Sequence, residues 1–329
     1  MSLTLKHIVA YLTLLIIPCI AFSASSEKNL QEKNLQPIVV TIKPLYSLVA
    51  QLSEGIEQPI LLMKQMQSPH HYTMRPSERR LLANARIIVW IGPQMETYLS
   101  KVIQQQDAVI ISAMQASGLN FLKQRFSRQH LSGQHSSGQH FSRQQNNTKQ
   151  NHLTANHLDP HIWLSADNTI VISKHIAQQL IASNPENTAT YKKNLQQLIS
   201  KITQLKNEIK TNLKDNAQPF ITHHDAFQYF ENENNLNYIA SISFDEESSV
   251  SLKHLRQIKT SIKKNNVQCL VYQPPKPDII EALADKTKIK TAALDPLGST
   301  LSPGPDNEKN AWFKIMRSIE LNFKRCLSQ

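Results

Sequence analysis

Four places in the chain carry residues that could hold a metal or move a proton. His70-His71-Tyr72 follows the apolar run Pro59 to Met63. His161 lies in Asp159-Pro160-His161-Ile162-Trp163. His223-His224-Asp225 directly follows Phe220-Ile221-Thr222. Asp295-Pro296-Leu297-Gly298 follows Thr291 to Leu294. Neutral imidazole is a standard zinc ligand at ~2.0–2.1 Å in a tetrahedral shell, so three separated histidines and one oxygen donor make a plausible site. The same shell could activate water for hydrolysis, but a hydrolase also wants a positioned general base. No HExxH occurs, and Asp225 and Asp295 are the carboxylates at hand. Spacing alone does not show that segments so far apart meet. Nor does it choose between His70 and His71, or between His223 and His224.

These positions need elements to carry them. Ile38-Val39-Val40-Thr41-Ile42 is a compact β-rich run, and Pro44 suits the first turn of a helix reaching Leu52. Pro59 to Met63, Ile87 to Ile91 and Ala108 to Ile111 are three more strands. Ser77 is placed to cap a helix through Asn84, and another helix is expected from Met95 to Gln105. Beyond Pro160, helices are expected over Asp167 to Ala182 and Glu186 to Leu213. The second carries Leu195, Leu198, Ile199, Ile202, Leu205, Ile209 and Leu213 on one face at helical spacing. Strand and helix then alternate through Phe220–Thr222, Tyr238–Ala240, Cys269–Tyr272 and Thr291–Leu294, with a final helix from Asn307. Continuous apolar strands alternating with helices indicate parallel sheets covered on both faces. The expected fold is therefore α/β, in two lobes. Ligands in such folds bind at the carboxyl ends of strands and in the cleft between lobes.

Residues 123–157 interrupt the pattern. They are rich in Ser, Gln, Asn and His and too poor in apolar residues to fold unaided. His130, His135 and His140 recur inside a Ser-x-Gln-His repeat, and no Asp or Glu occurs between Asp107 and Asp159. These three histidines are expected to be weak accessory metal sites on a mobile segment.

Lys6 and His7 precede the apolar run Ile8 to Ile20, and Ala21-Phe22-Ser23 gives small residues at both cleavage positions. Residues 1–23 read as a secretory signal, too short to span a bilayer, with cleavage after Ser23. Export removes Cys19 and leaves Cys269 and Cys326, which an oxidising compartment would pair.

Composition narrows the rest. With 329 residues and 40 % hydrophobic content the chain can bury the cores of two domains. Neither GxGxxG nor GxxxxGK[ST] is present, so dinucleotide and P-loop sites lose their sequence support. The net charge of +11 is spread along polar faces, with no aromatic-interleaved basic block, so nucleic acid is not an expected partner.

The motifs carry a resemblance. Ser68-Pro69-His70-His71-Tyr72-Thr73-Met74-Arg75-Pro76-Ser77 resembles the Ser-Glu-His-Asp-Tyr…Arg-Pro-Ser block of the ABC-transporter metal-binding proteins of cluster A-I. Val89-Trp90-Ile91-Gly92-Pro93-Gln94-Met95-Glu96, Asp159 to Ser165, His224 to Phe230 and Leu294 to Gly298 are similar to further blocks, in the same order. The zinc-uptake branch is the nearest type. The resemblance implies two α/β lobes joined by a single long rigid helix. It divides the chain into a first lobe (24–166), the helix (167–183) and a second lobe (184–329). It implies zinc on His70, His161 and His224, and a monomer in the periplasm serving an ABC permease of the inner membrane. It also implies a binding role, not catalysis.

Two departures from the family pattern stand out. The Glu that precedes the first family histidine is Pro69 here, so Asp295 or a water must supply the fourth ligand. The family's His-rich loop is usually acidic as well, whereas this one has no carboxylate. Relatives that carry manganese or iron tend to have a carboxylate at the third position. His224 there, in a nitrogen-rich shell, favours zinc.

Overall fold

The computed structural model describes residues 36–64, 68–70, 72–125, 158–243 and 250–328. The signal segment, His71, and His130, His135 and His140 of the insert lie outside the described residues.

The first sheet is built from β1 (Ile38–Val40), β2 (Ile60–Leu61), β3 (Ile87–Trp90) and β4 (Val109–Ser112). All pairs are parallel, in the order β2-β1-β3-β4. The second sheet repeats the plan with β5 (Phe220–His224), β6 (Tyr238–Ser243), β7 (Cys269–Tyr272) and β8 (Lys290–Ala293), in the order β6-β5-β7-β8. Parallel neighbours need crossover connections, and helices supply them. In the first lobe these are α1 (Lys43–Leu52), α2 (Pro76–Ala83) and α3 (Ser100–Ile103).

Between the two sheets in chain order lie α4 (Ala166–Ser183) and the longer α5 (Thr188–Leu213), which pack against each other. Ser165 caps α4 by accepting from the Asn168 N–H at 3.1 Å. Glu233, from the second lobe, accepts from the Ala166 and Asp167 N–H groups at 2.9 and 3.1 Å. A carboxylate on a helix N-terminus is stabilising, so Glu233 fixes the start of α4. The remaining helices are α6 (Gln228–Glu233), α7 (Leu252–Lys264), α8 (Asp278–Thr287), α9 (Pro305–Lys309) and α10 (Ala311–Leu327).

Strand alternation divides the apolar residues between layers. Ile38, Val40, Ile87 and Val89 face one large core shared by both lobes, while Val39, Ile88 and Trp90 face a smaller cluster behind the first sheet. Phe220, Cys269 and Val271 likewise join the shared core, and Ile221 and Leu270 the cluster behind the second sheet. Because both faces are buried, the strands read as unbroken apolar runs. The lobes are also tied by polar contacts. Ser47 Oγ donates to Lys309 O (2.7 Å), and Asn194 Nδ2 to Leu52 O (2.9 Å).

Several boundaries differ from the sequence expectation. The α2 N-cap is Arg75, with Pro76 at the first helical position and Glu78 accepting from the Arg75 N–H at 2.7 Å, so Ser77 already lies inside the helix. The expected helix from Met95 shrinks to a 3₁₀ turn (Thr97–Leu99) and the four-residue α3. The cause is Glu96, which is fully buried and accepts from the N–H groups of Ile91 and Gly92 at 2.8 and 3.2 Å. That holds residues 92–96 as a turn. The final helix is broken at Asn310 into α9 and α10. Cys269 in β7 and Cys326 in α10 are disulfide-bonded, with Cα atoms 5.5 Å apart.

Candidate metal centre

Three loops or strand ends bring one histidine each to a common point. His70 sits in the segment after β2, and His161 just before a 3₁₀ turn (Ile162–Leu164) leading into α4. His224 is the last residue of β5. Successive strand residues point to opposite faces, so β5 sends His223 and His224 in opposite directions. Of the two, His224 is the one in the cluster, and alternation is what separates it from its neighbour.

One ligand nitrogen from each of His70, His161 and His224 lies within 4.8 Å of the other two. Their ring centroids are 5.4, 5.8 and 5.2 Å apart and the rings are tilted steeply to one another. A tetrahedral zinc shell wants ligand nitrogens about 3.3 Å apart, from its ~2.05 Å bonds. Small side-chain movements therefore suffice to close the shell. His161 and His224 are buried, and His70 alone of the three reaches solvent.

The electrostatics keep His224 unprotonated. Burial lowers the His224 pKa well below its ordinary 6.5, and the neighbouring His161, His70 and His223 push it down further. The ring is therefore neutral at physiological pH, with a lone pair to offer. His161 is oriented differently. Its Nδ1 lies 2.7 Å from Asp159 Oδ1, and its backbone N–H donates to the same oxygen at 3.0 Å. A carboxylate can only accept, so Nδ1 carries the proton and Nε2 is left for the metal. Such a carboxylate–imidazole pair fixes the ring and raises its ligand strength.

Asp159 is itself held from several sides. Gln228 Nε2 donates to its Oδ2 (2.5 Å), Tyr229 Oη to its carbonyl (2.8 Å), and its own N–H to Leu122 O (2.8 Å). Next to His224, Asp225 Oδ1 forms an ion pair with Arg125 Nη2 at 2.9 Å, and Glu231 Oε2 accepts from the same nitrogen at 2.5 Å. Burial raises both carboxyls, and the Arg125 guanidinium opposes that rise.

The structure does not bring Asp295 into the cluster. Its Oδ1 accepts from the Leu297 N–H at 3.1 Å. Its Oδ2 accepts from Ser299 Oγ, the Thr300 N–H and Thr300 Oγ1 at 2.9, 2.7 and 2.8 Å. The carboxylate caps the turn that follows β8. Gly298 makes that turn possible, with φ +67° and no room for a Cβ, which would meet Ile315 and Leu301 at 3.0 Å. Lys43 of α1 donates to the Gly298 carbonyl at 2.8 Å, and Trp163 Nε1 to that of Pro296 at 2.9 Å.

Sequence reasoning missed Asp159 as a support, although its Asp-x-His spacing was a signal for it. It also missed Arg125, which falls at the start of the expected polar insert. Folded structure in fact continues through Arg125, because Lys123 pairs with Leu158 in an antiparallel bridge and Arg125 finds two buried acids.

Comparison with known proteins gives the family of the chain. The family model "Zinc-uptake complex component A periplasmic" matches residues 38–326. The chain is 37 % identical over 310 residues to the high-affinity zinc uptake system protein ZnuA of Brucella suis, covering 89 % of this chain and 92 % of that one. It is 34 % identical to the ZnuA of Haemophilus ducreyi, covering 89 % and 93 %. A crystal structure of ZnuA superposes with a TM-score of 0.72 at 20 % identity, covering 89 % of this chain and 99 % of that one. With that match spanning both sheets, the chain belongs to the ZnuA family of periplasmic zinc-uptake components.

Proposed function

We propose that this protein captures Zn²⁺ in the periplasm, as a monomer, and passes it to an ABC permease in the inner membrane. The observation that carries the reading is the cluster of His70, His161 and His224, with their ligand nitrogens within 4.8 Å of one another. Zinc is the cargo. Binding displaces protons or water from three imidazoles, and no bond of the ligand is made or broken. The all-nitrogen set favours zinc over manganese or iron, which prefer carboxylate oxygen. The four hydrogen bonds that Asp295 accepts within its own turn hold it there, which favours a water as the fourth ligand. The apolar leader to Ser23 supports export, and among the described residues no helix is long and apolar enough to cross a membrane.

Residues 24–166 and 184–329 are taken as the two lobes, with 167–183 between them. Family membership and the residue set both speak for binding over catalysis. The test is metal analysis of the purified mature chain, followed by competition titration of zinc against manganese. One tight zinc site, weak manganese and no hydrolase activity are expected. Equal affinity for manganese, or no tight zinc site, overturns the reading.

A further inference from the structure

Arg125 lies at the start of the polar insert, and it is bound where the insert's other end meets the metal site. Its Nη2 is 2.9 Å from Asp225 Oδ1 and 2.5 Å from Glu231 Oε2, and its guanidinium lies 3.6 Å from the centroid of the Tyr238 ring. The two acids are almost wholly buried, at 5 % and 4 % side-chain exposure. Asp225 directly follows the ligand His224. On the other strand of the root, Leu158 pairs with Lys123, and the next residue, Asp159, holds the ligand His161. Tyr229 and Gln228 bind both strands. Tyr229 Oη accepts from the Leu122 N–H at 3.1 Å and donates to Asp159 O, while Gln228 Nε2 reaches Lys123 O at 3.3 Å and Asp159 Oδ2. The root of the insert and the supports of two metal ligands are therefore one unit joined by hydrogen bonds and ion pairs.

We infer that Arg125 is a positioning residue of the zinc site, holding Asp225 and Glu231 so that His224 keeps its place while tying the root of the insert to that site. This rests on the three-histidine reading above. Arginine suits the role because a planar guanidinium serves two carboxylates and an aromatic face at once, which the point charge of lysine cannot do. Removing it leaves two acids buried together without their counter-charge, and the segment carrying His224 must shift to relieve them. Changing the partners that orient a metal ligand typically costs 10–100-fold in affinity.

The test uses the mature full-length chain as wild type, Arg125→Met, Arg125→Lys and Arg125→Met/Glu231→Gln. Zinc affinity is read by competition titration and ligand geometry by the visible absorption of the Co²⁺-loaded protein. Arg125→Met is expected to lose tenfold or more in zinc affinity and to shift the Co²⁺ bands, with Arg125→Lys lying between it and wild type. If Arg125→Met does not fold, the double variant, which removes one of the stranded charges, gives the same two readings. Affinity within twofold of wild type together with unchanged Co²⁺ bands, in Arg125→Met or in the double variant, overturns the inference while the zinc site stands. A wild-type chain without tight zinc overturns both.

Discussion

Asp159 holds His161 through both its ring and its backbone, with Oδ1 2.7 Å from Nδ1 and 3.0 Å from the main-chain N–H. One carboxylate oxygen thus sets the tautomer and the direction of the ring. Asp159→Ala should lower zinc affinity 10–100-fold with all three ligands still present. Asp159→Asn keeps an acceptor oxygen and should lose less. Competition titration checks both, and equal affinity in Asp159→Ala and wild type would refute the role.

His70, His161 and His224 should each be needed for tight binding, because a three-ligand shell becomes two. Asp295→Ala should behave differently. It removes the acceptor for four hydrogen bonds in the turn after β8, so it should lower the stability of the metal-free protein by about 1–3 kcal/mol. Zinc affinity should change little. Urea unfolding alongside zinc titration separates the two effects. A collapse of affinity in Asp295→Ala with normal stability would make it a ligand after all.

Acid should destabilise the metal-free protein through His224. Its pKa is lowered in the folded state, so the unfolded chain binds more protons. The stability it confers is complete above the ordinary value of 6.5 and is lost as pH falls below it. Unfolding measured from pH 8 to pH 5 should show this decline, with a flatter profile in His224→Gln. Parallel profiles would contradict the assignment.

Glu96 should act in the opposite sense. Burial raises its carboxyl to about 7, against the backbone hydrogen bonds that lower it. The folded state therefore holds the proton more tightly than the unfolded chain does. The stabilisation is full below 4.5 and is lost as pH rises through about 7. The stability of wild type relative to Glu96→Gln should fall across that window by up to about 3 kcal/mol. The pH profile of the stability difference between the two proteins is the measurement. A flat difference would count against it.

Reducing Cys269–Cys326 frees a loop spanning 57 residues between β7 and α10. The chain-entropy estimate for a loop of that length is ~4 kcal/mol. Cys269→Ala/Cys326→Ala should melt well below wild type while binding zinc with similar affinity, since Cys269 pairs with Phe220 at the opposite end of β5 from His224. An unchanged melting temperature would show that packing alone fixes α10.

The strands were legible in the sequence because each is buried on both faces. Ile38–Val40, Ile87–Trp90 and Cys269–Tyr272 therefore stand out as unbroken apolar runs, and the stripe on α5 as a helical one. The end of β5 was less legible, because His223 and His224 continue the strand as polar residues. Helices whose limits are set by a side chain bound to the backbone were misplaced. Glu96 shortened one expected helix by binding the backbone at Ile91 and Gly92.

The sequence by itself determined which residue types could ligate, which motifs carry the family, and that two cysteines remain to pair after export. It could not bring His70, His161 and His224 together, because convergence depends on the order β2-β1-β3-β4 and β6-β5-β7-β8, in which pairing is non-local. Nor could it show Asp295 turned toward its own loop, or Arg125 drawn out of a polar segment onto Asp225 and Glu231. Tertiary structure decided those points. A buried charge must find its partner wherever the fold places one, and chain order carries no record of that distance.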